Sequence, residues 1–218
     1  MLVLFAADLH GRQNLYRWLG EQIETHHPDL VVLAGDLLGR PAGYATREAA
    51  QRVDAGAVLA HLDAWAAPTW YVMGNCDRVE LPARPPRIQS LHERRLVLGD
   101  TAFVGYQTTT PFTGGPFEKP EEGIESDLAR LGPLLDEHTV LITHGPAYGI
   151  LDKNYTGART GSVALRKLVD SFPFRVHVHG HIHEAYGSEG RHFNVAAAGI
   201  KRALLLDVST MEHRFVGG

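Results

Sequence analysis

Short apolar runs recur along the chain, each closed by a polar or glycine-containing turn, and their length marks them as strands. They cover Leu2–Ala7, Leu30–Ala34, Thr69–Met73, Leu96–Leu98 with Ala102–Tyr106, Val140–Thr143, Val176–Val178 and Ala203–Val208. Between several of them the apolar positions change to helical spacing. In NLYRWLGEQIETHH, residues Leu15, Trp18, Leu19 and Ile23 fall on one helical face. Alanine-rich Arg47–Trp65, then Ile124–Leu135, then SVALRKLVDSF with Ser162 as N-cap predict three more helices. Strands alternating with helices imply an α/β layered fold with buried central strands. The later strands follow one another closely, so part of the sheet is expected to be antiparallel. No repeat or linker divides the chain, and residues 1–218 are expected to form a single domain.

Two segments interrupt this rhythm. GDLLGRPAGYATRE and QTTTPFTGGPFEKPEEG are rich in Gly, Pro and Thr and read as long loops. Such loops in compact domains serve as binding loops or lids, or are tolerated surface excursions. A lid is the expectation for the second, residues 107–123, around Phe112–Pro120.

Composition narrows the function classes. A hydrophobic fraction of 44% over 218 residues is that of an ordinary globular chain with ample core. The net charge of -4 argues against general affinity for nucleic acid or anionic membrane. The apolar start MLVLFAAD is too short for a membrane span and lacks the basic onset and cleavage site of a signal peptide. A lone cysteine, Cys76, cannot form an internal disulfide, which suits a reducing compartment. A cytoplasmic protein is therefore expected. Its oligomeric state, a homo-oligomer included, stays open.

The polar residues that close the strands carry the candidate chemistry. In open α/β sheets, ligands gather at the carboxyl ends of strands. The first predicted strand ends in DLH (Asp8, His10), the second in GD (Asp36) and the third in GNCD (Asn75, Cys76, Asp77). Later ones end in THGP (His144) and in HGHIH (His181, His183). A single Asp or His after a strand is more often a cap or a packed side chain. The D-x-H and H-x-H pairs are stronger signals, because alternation on an extended segment sends both side chains into one space. Unpaired, buried carboxylates collected at equivalent strand ends would repel one another and lose hydration, a conflict that cations resolve.

In this order, Asp8 to His183, these residues resemble the signature of the calcineurin-like metallophosphoesterases: D-x-H, G-D, G-N-H-[DE], a lone His, then G-H-x-H. The resemblance implies a two-sheet α/β/β/α sandwich of mixed strands with two divalent metals at the strand C-terminal ends. It assigns one metal to Asp8, His10 and His183 and the other to Asn75, His144 and His181, with Asp36 bridging both. Such a mixed oxygen and nitrogen set suits Mn²⁺ first, with Fe or Zn²⁺ as alternatives. The implied chemistry is hydrolysis of a small phosphate-ester substrate by attack of a metal-bridging hydroxide. Asn75 would also hold a phosphoryl oxygen. The stretch THGPAYGILDKNYTGARTGSVALRKLV resembles the small branch of the family that has no separate regulatory domain.

Cys76 stands where the family has a histidine that protonates the leaving oxygen, with the next carboxylate, here Asp77, orienting it. Three roles compete for Cys76. It is a covalent nucleophile, a metal ligand, or the occupant of the histidine position with a weaker part in leaving-group protonation. The first lacks a phosphate cradle in DRVELPARPPR. The third fits best, because a thiol with a reference pKa of about 8.5 is a poorer acid near neutrality than imidazolium. That favours phosphodiesters over phosphomonoesters. A phosphomonoesterase or phosphoprotein phosphatase is the alternative, and a scaffold that has lost catalysis is a third reading. Arg12 and Arg40 are candidate phosphate contacts. Arg40 follows Asp36 at the spacing of the phosphoprotein phosphatase branch, but Gly39 replaces that branch's aspartate. Of the remaining histidines, His177 and His179 are expected to pack within the sheet.

Overall fold

The computed structural model describes residues 1–218. The first sheet contains β1 (Leu2–Ala6), β2 (Leu30–Ala34), β3 (Thr69–Val72), β4 (Ile88–Ser90), β11 (Arg202–Asp207) and β12 (His213–Gly217). The second contains β5 (Arg95–Leu98), β6 (Thr101–Tyr106), β7 (Thr139–Thr143), β8 (Val176–His179), β9 (Gly187–Glu189) and β10 (His192–Asn194). Their spatial orders are β12-β11-β1-β2-β3-β4 and β5-β6-β7-β8-β10-β9. In each sheet the central strands are parallel: β1 to β4 in the first, β6, β7, β8 and β10 in the second. Antiparallel pairing is confined to the flanks, at β11 and β12, β5, and β9.

The helices are α1 (Gln13–His26), α2 (Arg47–Ala64), α3 (Glu121–Leu131) and α4 (Val163–Ser171). The α4 cap is the predicted one, with the Ser162 side chain accepting from Leu165 N. The third helix starts earlier than its apolar pattern, and Gly132–Leu134 turns as a 3₁₀ segment.

Strand alternation explains the layering. On β1, Val3 and Phe5 face the middle layer between the sheets, while Leu4 and Ala6 face α1 and α2. On β2, Leu30 and Val32 face the middle and Val31 and Leu33 the helices. A third apolar cluster packs Val104, Tyr106 and Leu141 of the second sheet against Ile124, Leu128, Leu165 and Leu168 of α3 and α4. Both faces of the central strands are therefore dry, which is why those strands read as continuous apolar runs. The result is the expected α/β/β/α sandwich. His177 and His179 lie fully buried in β8, as expected for packed side chains.

Beyond β10 the chain crosses between the sheets. Val195 N–H donates to His179 O at 2.8 Å, and Ala7 N–H donates to Val195 O at 3.2 Å. This stitch lies at the carboxyl ends of β1 and β8 and brings the Asp8 turn up to the His181 turn.

Candidate metal centre

Every predicted ligand sits just past the carboxyl end of a parallel strand. Asp8 and His10 follow β1, Asp36 follows β2, Asn75 follows β3, His144 follows β7, and His181 and His183 follow β8. Backbone bonds tie these turns together. Asp8 N–H donates to Gly35 O, His10 N–H to Asp36 O, and Gly180 N–H to His144 O. Asp8, Asp36, Asn75 and His144 are almost completely buried, and His10, His181 and His183 are half-buried. Asp8, His10, Asp36 and His181 adopt left-handed backbone, with φ of 57°, 48°, 53° and 69°. Asp and His enter that region more readily than most side chains, but not freely.

The close approach explains two motif glycines. A Cβ on Gly35 would fall 2.3 Å from His144 Nδ1, and one on Gly74 would fall 2.3 Å from Asp36 Oδ1. Gly74→Ala is therefore expected to displace the Asp36 carboxylate and to weaken metal affinity about tenfold while leaving the strands folded. Calorimetric titration with Mn²⁺ checks this, and unchanged affinity would show that the turn can yield elsewhere.

The donor set tests whether cations fit here. Asp8, His10 and His183 offer ligand atoms within 4.8 Å of one another; so do Asp8, Asp36 and His144, and so do His10, Asp36 and Cys76. Asp36 thus belongs with residues of both expected sets. His144 Nδ1 lies 2.9 Å from Ala34 O, so it donates there and leaves Nε2 as a lone pair. That lone pair faces Asn75 Oδ1 at 3.0 Å and Asp36 Oδ1 at 3.4 Å. The Asn75 amide is turned this way because its Nδ2 donates to Glu118 Oε1 at 3.3 Å. Acceptors converging on one point in this way are a donor set that a cation would fit. The His144 and His181 rings sit 5.1 Å apart.

Protonation follows the same logic. Burial, helped by His144, pulls His181 down to about 4, which keeps it neutral and able to ligate. Burial works to raise Asp8, but the His183 hydrogen bond and the neighbouring imidazoles outweigh it and hold the carboxyl at about 2.

Cys76 is half-buried, and its backbone N–H donates to Asp36 Oδ1 at 2.7 Å. Burial, then the Asp36 charge, push its thiol up to about 12. A thiol so firmly protonated is a poor nucleophile. Asp77 does not orient Cys76. Its fully buried carboxylate accepts from Leu37 N at 3.2 Å, Leu38 N at 2.8 Å and Gly74 N at 2.8 Å. Burial and the Asp36 charge push this carboxyl up, and the three N–H groups act against that push. Asp77 is the staple between the turn that holds Asp36 and the turn that holds Asn75.

Arg12 and Arg40 are exposed, and neither lines the cleft that contains the ligands. Arg47, at the start of α2, lies beside the Cys76 thiol instead, with a buried Nε that has no hydrogen-bond partner. Sequence reasoning missed both Arg47 and Glu118. Glu118 takes backbone N–H bonds from Thr113 and Gly114 at 2.6 and 2.8 Å as well as the Asn75 amide, and so anchors loop 107–123 to the site.

Residues 1–185 match the sequence profile of the calcineurin-like phosphoesterases. No curated protein sequence matches the chain. Among solved structures, a Thermus thermophilus protein superposes with a TM-score of 0.73 at 16% identity, over 99% of this chain and 98% of that one. A dimetal phosphatase from Danio rerio superposes at 0.62, with 11% identity over 100% and 98% of the two chains. An archaeal phosphodiesterase superposes at 0.55, with 13% identity and full coverage of both, 100% and 100%. At such identities the likeness is one of fold.

Proposed function

Because the chain belongs to the calcineurin-like phosphoesterase family, we propose that it hydrolyses phosphodiester bonds with two divalent metal ions. The observation that carries this is the position of Asp36, whose carboxylate lies within 4.8 Å of donor atoms of Asp8 and His144 in one cluster and of His10 and Cys76 in another. Asp8, His10, His183 and Asp36 would hold one ion, and Asn75, His144, His181 and Asp36 the other. When bound, such ions activate water and neutralise charge on the phosphoryl oxygens. Mn²⁺ is the first choice for this mixed oxygen and nitrogen set.

The protein groups set what else the site can do. Asn75, its amide nitrogen held by Glu118, presents its oxygen inward, where it would serve as a ligand of the second ion. Cys76 at the proton-donor position is a weak acid. A diester, whose leaving group departs from a monoanion, asks less of that position than a monoester does. Solved neighbours described as a phosphodiesterase and a dimetal phosphatase agree with this chemistry. The net charge of -4 supports a small substrate rather than a nucleic-acid polymer. The lone cysteine supports a cytoplasmic setting, and no helix is long and apolar enough to cross a membrane. The whole of 1–218 would act as one catalytic domain.

The test compares bis(p-nitrophenyl) phosphate with p-nitrophenyl phosphate, using protein stripped of metal and then resupplied with Mn²⁺. Activity that appears only with metal and favours the diester supports the reading, and a preference for the monoester transfers it to a phosphomonoesterase. With phenyl phosphate and diphenyl phosphate, whose leaving group needs a proton, Cys76→His is expected to shift the ratio about tenfold toward the monoester. An unchanged ratio would remove Cys76 from the selection of substrate.

A further inference from the structure

The cleft over the metal ligands has a volume of about 230 Å³ and is walled by two aromatic side chains, Phe112 and Tyr155. Both are more exposed than any other large apolar side chain of the protein, Phe112 at 78% and Tyr155 at 84%. The turns that carry them are held by hydrogen bonds and an ion pair. Phe112 lies edge-on to the His181 ring with centroids 5.8 Å apart, and the residues after it are fastened by Glu118 and by Thr113 Oγ1, which donates to Asn75 O at 2.9 Å. Tyr155 caps a turn closed by Asn154 Oδ1, which accepts from Thr156 N at 3.0 Å and Ala158 N at 3.1 Å. That turn is anchored in turn by the ion pair of Arg159 with fully buried Asp152 at 2.8 Å. The fold therefore holds two apolar faces out to water at the mouth of the site, and neither face is covered by the protein.

We propose that Phe112 and Tyr155 form a stacking subsite for a planar heterocycle on the ester arm of the substrate, so that the substrate class is a small nucleoside phosphodiester. This deepens the phosphoesterase reading above and rests on it. An acyl chain would need a continuous apolar groove. Here the two rings are interleaved with polar groups, among them Asn154, Thr160 and Glu184, which suit a flat base carrying a hydroxylated sugar. Aromatic rings offer a large flat contact area with only two side-chain torsions to order on binding. Base recognition by aromatic faces is also tolerant of base identity, so the subsite selects the class rather than the base.

Thymidine 5′-p-nitrophenyl phosphate and methyl p-nitrophenyl phosphate share a leaving group and a charge, so their ratio of kcat/KM isolates the other arm. The ratio is expected to favour the nucleoside about tenfold or more. It should fall toward one in Phe112→Ala and Tyr155→Ala and persist in Tyr155→Phe. Calorimetric titration with thymidine 5′-monophosphate and with inorganic phosphate gives a readout independent of turnover, and the nucleotide should bind about tenfold tighter. Equal rates and equal affinities would overturn the subsite while leaving the phosphoesterase intact. Tight nucleotide binding without hydrolysis of either diester would keep the subsite and overturn the hydrolytic reading.

Discussion

Asp36→Asn is expected to abolish one equivalent of bound metal and to lower phosphodiester hydrolysis about 1,000-fold, equivalent to about 4 kcal/mol of transition-state stabilisation. The substitution conserves shape. The amide oxygen can still accept the Cys76 N–H that Asp36 Oδ1 holds at 2.7 Å, so the turn should stay folded. What is lost is charge at a position that shares one donor cluster with Asp8 and His144 and another with His10 and Cys76. Elemental analysis of the purified variant, alongside circular dichroism, separates metal loss from unfolding. Two retained ions with activity within tenfold of the parent would show that the clusters are filled independently of Asp36.

Asp77→Ala should have the largest effect on stability of any change near the site, a loss of roughly 3–5 kcal/mol. Three backbone N–H groups, from Leu37, Leu38 and Gly74, end on this carboxylate inside the protein. Alanine leaves all three buried without an acceptor. For a chain of 218 residues this corresponds to a fall in Tm of roughly 10 °C. Asp77→Asn, which keeps one acceptor oxygen, should fall between. A shift under about 2 °C in the alanine variant, read by differential scanning calorimetry, would mean that the turns hold each other by packing alone.

The gathering of the candidate ligands was legible in the sequence because each follows an apolar run that forms a buried strand, and parallel strands share one carboxyl end. The role of Asp77 was not legible. Adjacent to Cys76, it invites a side-chain pairing, but the carboxylate turns toward a turn some forty residues earlier in the chain, and only the register of β2 against β3 places that turn within reach. Glu118, Arg47 and Tyr155 were hidden for a related reason. Each sits on a loop or helix start whose position is set by the packing of other elements, and nothing in their local spacing points to a metal. The short strands β4, β9 and β10 lack an apolar run of their own and exist because a neighbour offers them a ladder. Polar-rich β12 pairs likewise along β11.

The left-handed backbone at Asp8, His10, Asp36 and His181 means that the catalytic end of the sandwich is held against its own conformational preference. Each such residue costs roughly 1 kcal/mol or more relative to glycine. At Asp8 and Asp36 the carboxylates offset part of that cost by accepting the backbone N–H groups of His181 and Cys76, so the strained turns and the polar cluster hold each other in place.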